Sequence, residues 1–208
     1  MIPAELAIPV SSSLDEETAR AEVYGLLAAL YYAAPSQSLH DNLCLAATQA
    51  PAAGAVLEST WSELVAAARA QTLADITKEF EALFGGVSRP EVFLFGSHYL
   101  SGFLNEKPLA QLRSAISALG LARDDAMPET EDHVAYVCEV MRYLIAGDDA
   151  AVANLTRQRE FYSRHVQSWL PQMCEALAAH PKARFYRALA LFTQAFLDVE
   201  SQGFDMLE

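Results

Sequence analysis

Apolar side chains return at helical spacing along almost the whole chain, and this period constrains its fold more than any other feature. Between Pro108 and Gly120, Leu109, Leu112, Ile116 and Leu119 recur every three or four residues, which sets them on one face of a helix. The same period runs through Ala19, Val23, Leu26, Leu27, Leu30 and Tyr31, and again through Leu57, Trp61, Leu64, Val65 and Ala68. It returns in Val134, Val137, Met141, Leu144 and Ile145 and in Phe185, Leu189, Phe192 and Phe196. No Asn-Gly or Asp-Gly pair stands between alternating runs, so the commonest hairpin signal is missing. The expected fold is all-α, a single compact bundle of about nine or ten helices.

Local start and stop signals divide the pattern. Residues 1–12 read as a flexible N-terminal arm and 13–208 as the helical domain, with Ser13 and Glu16 forming a capping box for a helix to about Ala33. Ser38 is placed to cap a short helix, Pro51 to start a third, and Thr72 to cap a fourth that carries Ile76, Phe80, Leu83 and Phe84. Ser97 is placed to cap a helix to Leu104, and Leu121 to Thr130 reads as a polar, mobile linker. A helix is expected from Glu131 to about Ala146, with Gly147 behind it, and Pro171 and Pro181 introduce the last two. With 208 residues, 52% of them hydrophobic and only nine Gly and nine Pro, the chain is long enough to bury a full core.

The formal net charge is -13, and all of the excess lies in residues 1–150, which hold 21 acids against 8 bases. Such a field repels nucleic acid and anionic membrane; it serves either solubility or the attraction of a cationic partner. Cys44, Cys138 and Cys174 are odd in number, lack CxxC spacing and fall on apolar helical faces, so reduced thiols are expected in place of a disulfide frame or zinc knuckle. The N-terminus carries no basic segment followed by a long apolar run, and no apolar run approaches a membrane span of about 20 residues. A cytoplasmic protein without direct membrane insertion is expected.

Catalytic signatures are missing: GxxxxGK[ST], HExxH, paired ExxH and GxSxG do not occur. Two stretches suit recognition instead. The segment Val87 to Gly96 is too apolar for an ordinary connector, and Phe93, Leu94 and Phe95 either pin it to the core or wall a groove for an apolar peptide. Pro128 to His133 is densely acidic. Glu131, Asp132 and His133 form either the stabilising first turn of a helix with a capping histidine, or a carboxylate that takes an arginine of a ligand in a two-pronged hydrogen bond. On His133 the helix dipole opposes protonation and the neighbouring acids favour it, so no charge state follows from sequence.

At these residues the sequence resembles the TorD/DmsD family of redox-enzyme maturation chaperones, best from about Thr77 to Glu200. The resemblance is carried by Phe80 with Leu83-Phe84 before Gly85-Gly86, by Gly96-Ser97-His98-Tyr99-Leu100, and by Glu129-Thr130-Glu131-Asp132-His133. Phe161, His165, Trp169 and Pro171 continue it, and Phe185-Tyr186 opens the closing helix. Two departures stand out: Leu94-Phe95 replaces a proline and tryptophan of many members, and Glu131 replaces the proline of the acidic motif.

The resemblance implies an all-helical chaperone, with no catalytic residues, metal or cofactor of its own. Its implied partner is the apo catalytic subunit of a molybdenum or tungsten oxidoreductase, bound through its twin-arginine leader, and its implied state is a monomer or homodimer. Carried over residue by residue, the leader-binding surface is Phe80, Leu83, Phe84, Phe95, Ser97, Tyr99, Asp132 and His133. The phrases GSHYLSGFLNEKPLAQLR and EDHVAYVCEVMRYLIAG look most like the branch linked to formate dehydrogenase. The alternatives are a nitrate-reductase-type assembly factor for a client that is not exported, and a guanine-nucleotide-binding enzyme.

Overall fold

The structure is a computed structural model and describes residues 12–48, 56–85, 89–123 and 128–206. The described residues form ten helices and no strand: α1 (Ser12–Tyr32), α2 (Gln37–Leu45), α3 (Glu58–Ala70), α4 (Leu73–Phe84), α5 (Gly96–Ser101), α6 (Lys107–Ala118), α7 (Val134–Ala146), α8 (Leu155–His165), α9 (Leu170–Ala178) and α10 (Phe185–Asp205). The all-α expectation holds. The predicted flexible arm falls almost wholly on residues outside those described, as do Pro51 and its expected helix start.

The core is built on α1, α7 and α10. Helix α1 lies along α7, and α10 packs against α9, α3 and α4. Tyr24, Leu27, Leu30 and Tyr31 from α1 are fully buried, as are Met141 and Leu144 from α7 and Phe185, Tyr186 and Leu189 from α10. Burying aromatic and branched side chains of this size contributes about 1.5–3 kcal/mol each. Polar contacts join α1 to α10: Arg20 Nε and Nη2 donate to the two carboxylate oxygens of Glu200 at 2.6 and 2.9 Å, and the Tyr24 hydroxyl donates to the same group at 2.9 Å. Glu200 is 3% exposed, so the pair fixes how the two helices meet.

Helix boundaries show where local signals suffice. Thr72 caps α4 as predicted, and Asp75 completes a capping box by accepting from the Thr72 backbone. Ser36, not Ser38, caps α2 by accepting from Leu39 N at 3.2 Å. Helix α7 starts at Val134, three residues later than expected, because His133 is its N-cap. Helix α10 starts at Phe185 with no cap from its own N-cap residue. Glu79 of α4 serves it instead, accepting from the backbone N–H groups of Arg184, Phe185 and Tyr186 at 2.8, 3.2 and 2.9 Å. The three cysteines are free thiols. Among the described residues no helix is long and apolar enough to cross a membrane.

Candidate peptide-binding site

The candidate site begins where α4 ends. Leu83 turns into the core, while Phe80 and Phe84 lie half-buried with ring centroids 5.1 Å apart, both against Tyr186 of α10 at 5.7 and 5.0 Å. The Leu83 carbonyl accepts from Glu91 N and Val92 N at 3.0 and 3.1 Å, which returns the following loop to the end of α4. Glu91 is anchored there by Lys182 Nζ at 2.8 Å, and this cation holds its carboxyl below the ordinary range.

Along Val92 to Phe95 burial alternates, and the backbone is extended at Phe95. Val92 and Leu94 point inward, each 4% exposed, while Phe93 and Phe95 are half-buried. Val92 and Leu94 therefore pin the loop to the core, and Phe93 and Phe95 keep part of their rings at the surface. Val134 N donates to the Leu94 carbonyl at 2.8 Å and Gly96 N donates to the Asp132 carbonyl at 2.8 Å, pairing Phe95 with His133 in an antiparallel bridge. The Phe95 ring then meets His133 edge-on at 5.0 Å, and His133 meets Tyr32 at the end of α1 at 6.3 Å.

Gly96 opens α5 against Trp169. A Cβ here would sit 3.0 Å from the indole, so the close approach requires glycine. Ser97, expected as the cap of this helix, lies inside it, and the cap comes from Asp132. One Asp132 oxygen accepts from Ser97 N at 2.9 Å and from the Ser97 hydroxyl, and the other accepts from the Thr130 hydroxyl at 2.6 Å. Tyr99 donates its hydroxyl to the Phe93 carbonyl at 2.8 Å and stacks on Trp169 at 5.9 Å.

Glu131 and Asp132 of the acidic motif are turned inward. Asp132 is 3% exposed with both oxygens engaged, and Glu131 is gripped by Arg113, whose Nε lies 3.0 Å from each carboxylate oxygen. Burial pushes the Glu131 carboxyl up, but the hydrogen bond and charge of Arg113 outweigh it and leave it below the ordinary range. His133 Nδ1 accepts from Ala135 N at 3.2 Å, which needs the neutral ring with its proton on Nε2. Burial lowers its pKa to about 4, against the opposing pull of Asp132.

Of the eight residues carried over, the structure joins Phe95 to His133 and Ser97 to Asp132, sets Tyr99 beside them through Phe93, and gathers Phe80, Leu83 and Phe84 at the other end of the 89–95 loop. Leu83, Ser97, Asp132 and His133 are buried, and Phe80, Phe84, Phe95 and Tyr99 are the half-buried faces. Sequence reasoning did not place Tyr32 or Tyr186 beside these residues. Tyr32 stands one place beyond the apolar stripe of α1, and it is 39% exposed beside His133.

A family model described as the nitrate reductase delta subunit matches residues 50–175. The chain belongs to this family, which includes the TorD chaperones. The TorD chaperone of Vibrio cholerae is 28% identical over 140 residues, covering 64% of each chain. That of Aliivibrio fischeri is 25% identical over 134 residues, 61% of this chain and 62% of its own, and that of Vibrio parahaemolyticus 23% over 135 residues, 61% and 63%. The chain thus spans about 64% of the length of the Vibrio cholerae chaperone. The matched residues of this TorD-family chain contain all eight carried-over positions and Trp169, while Tyr32 of α1 and Tyr186 of α10 lie outside them.

Proposed function

We propose that the protein is a cytoplasmic maturation chaperone without catalytic residues, which binds the twin-arginine leader of the apo catalytic subunit of a molybdenum or tungsten oxidoreductase. It holds the client open for cofactor insertion and delays export until the client has folded. The observation that carries this reading is the half-buried aromatic face of Phe80, Phe84, Phe95 and Tyr99, set within the family-matched residues of an acidic chain. The apolar run of a leader lies against these rings. Asp132 and Ser97 position the face and do not touch the leader, since both are already engaged with each other. The leader arginines meet surface acids, of which exposed Glu81 lies between Phe80 and Phe84 in sequence. The similarity of the Gly96 and Glu131 phrases to the formate dehydrogenase branch makes that enzyme the first client to try.

Calorimetric titration with a formate dehydrogenase leader peptide, beside a copy with both arginines changed to lysine, tests the reading. Binding at about micromolar affinity, near -8 kcal/mol, that weakens for the lysine copy supports it, because only guanidinium offers a two-pronged donor. No binding of either peptide overturns it. The description of the family as the nitrate reductase delta subunit favours a second reading, an assembly factor for a client that is not exported. Under that reading the two peptides bind equally, and an N-terminal peptide without the arginine pair binds as well.

A further inference from the structure

A second surface, sharing no residue with the candidate site, lies along the outer side of α1. Two cavities of about 510 Å³ each open between α1, the start of α3 and α10, and Ala19, Val23 and Leu57 line both of them. They therefore form one groove. Its first half is walled by Leu26, Trp61 and Phe192 beside the shared residues, and its second by Phe196, Val199 and Leu155. Val56, 74% exposed, lines the second half next to the shared Leu57. Each half is the size of a pocket for several apolar side chains.

The rim is acidic. Glu22 and Glu58 line the first half, and Glu16 and Glu17 line the second. Arg20, the cation on the same wall, is already bound to Glu200 through two hydrogen bonds. An apolar floor between glutamates repels anionic partners and disfavours a second copy of this acidic chain, whose net charge is -13. We propose that this groove docks a peptide segment of apolar side chains flanked by arginine or lysine, as a second peptide site beside the aromatic face. The inference does not rest on leader binding at that face.

The chain's two tryptophans separate the sites. Trp61 lies in the groove wall, with its indole N–H on the Ala47 carbonyl at 2.8 Å, whereas Trp169 stacks on Tyr99. The test titrates ¹⁵N-labelled protein with an amphipathic leucine–lysine peptide and with a leucine–glutamate peptide of the same apolar face, following both indole signals. The groove assignment predicts saturable movement of the Trp61 signal with the lysine peptide alone, and a loss of at least about tenfold in affinity in Glu22→Lys/Glu58→Lys. Val56→Asp, a surface change that leaves the fold intact, weakens binding as well. A Trp61 signal that stays still, that responds alike to both peptides, or that titrates unchanged in both variants overturns the proposal.

Discussion

Asp132 caps α5 through Ser97: one carboxylate oxygen takes both the Ser97 N–H and the Ser97 hydroxyl, across 35 residues of sequence. The start of α5 and the approach to α7 are thereby held by one buried side chain, and the rings of Phe95 and His133 are placed by the same junction. Asp132→Ala removes these bonds and leaves the Ser97 hydroxyl buried without its acceptor. A loss of about 3 kcal/mol is expected, read as a lower urea midpoint with an unchanged slope. Asp132→Asn keeps one acceptor and loses less. Peptide affinity falls in the alanine variant through displacement of Phe95.

Gly96 permits the contact between α5 and Trp169. In Gly96→Ala the new methyl group meets the indole at 3.0 Å, inside van der Waals contact. Trp169 is buried and its indole N–H is fixed on the His165 carbonyl at 2.7 Å, so it yields little. Overpacking of this kind costs about 1–3 kcal/mol. Thermal melts of the variant are expected to fall by several degrees, with a changed Trp169 emission.

Glu79 supplies from α4 the cap that α10 lacks. Replacing it with alanine frees three buried or half-buried backbone N–H groups at the start of the helix that carries the core. A loss of about 3 kcal/mol is expected, checked by chemical denaturation. Hydrogen exchange should quicken first at Arg184 to Tyr186. Equal stability of the variant would contradict the assigned cap.

His133 makes stability depend on pH. Its imidazole titrates near 6.5 when unfolded and, through burial, at about 4 when folded. Between these values the unfolded chain binds more protons, so stability rises with pH. The contribution is fully present above pH 6.5 and is lost as the pH falls to about 4, a change of roughly 3 kcal/mol. His98 and His165 are lowered too, both by burial, and act in the same direction. His133→Asn keeps an N-cap acceptor without a proton to bind. Its stability should therefore fall less steeply between pH 6.5 and 4 than that of the wild type.

The helices were legible because their signals are local. Thr72 and Asp75 lie three residues apart, and the apolar stripes of α1, α7 and α10 repeat within a single turn. The site was less so because its decisive bonds cross the chain. Ser97 looks like a cap by residue type, but the cap is Asp132, and nothing near Phe185 announces that Glu79 serves α10. The run of Val92 to Phe95 is apolar at every position, so its alternation between core and surface left no mark in polarity. The acidic motif suggested an arginine contact, whereas Arg113 and Ser97 already occupy Glu131 and Asp132. Family resemblance named residues that the fold brings close together without telling which of them present a surface.

We propose that a leader peptide lies on the aromatic face held by the Asp132 cap. Titrating ¹⁵N-labelled protein with the twin-arginine leader, and following the Trp169 indole with the backbone amides of Phe95, Ser97 and Tyr99, tests it most directly. These signals are expected to move together and saturate at about micromolar affinity. Binding that leaves them still would contradict it.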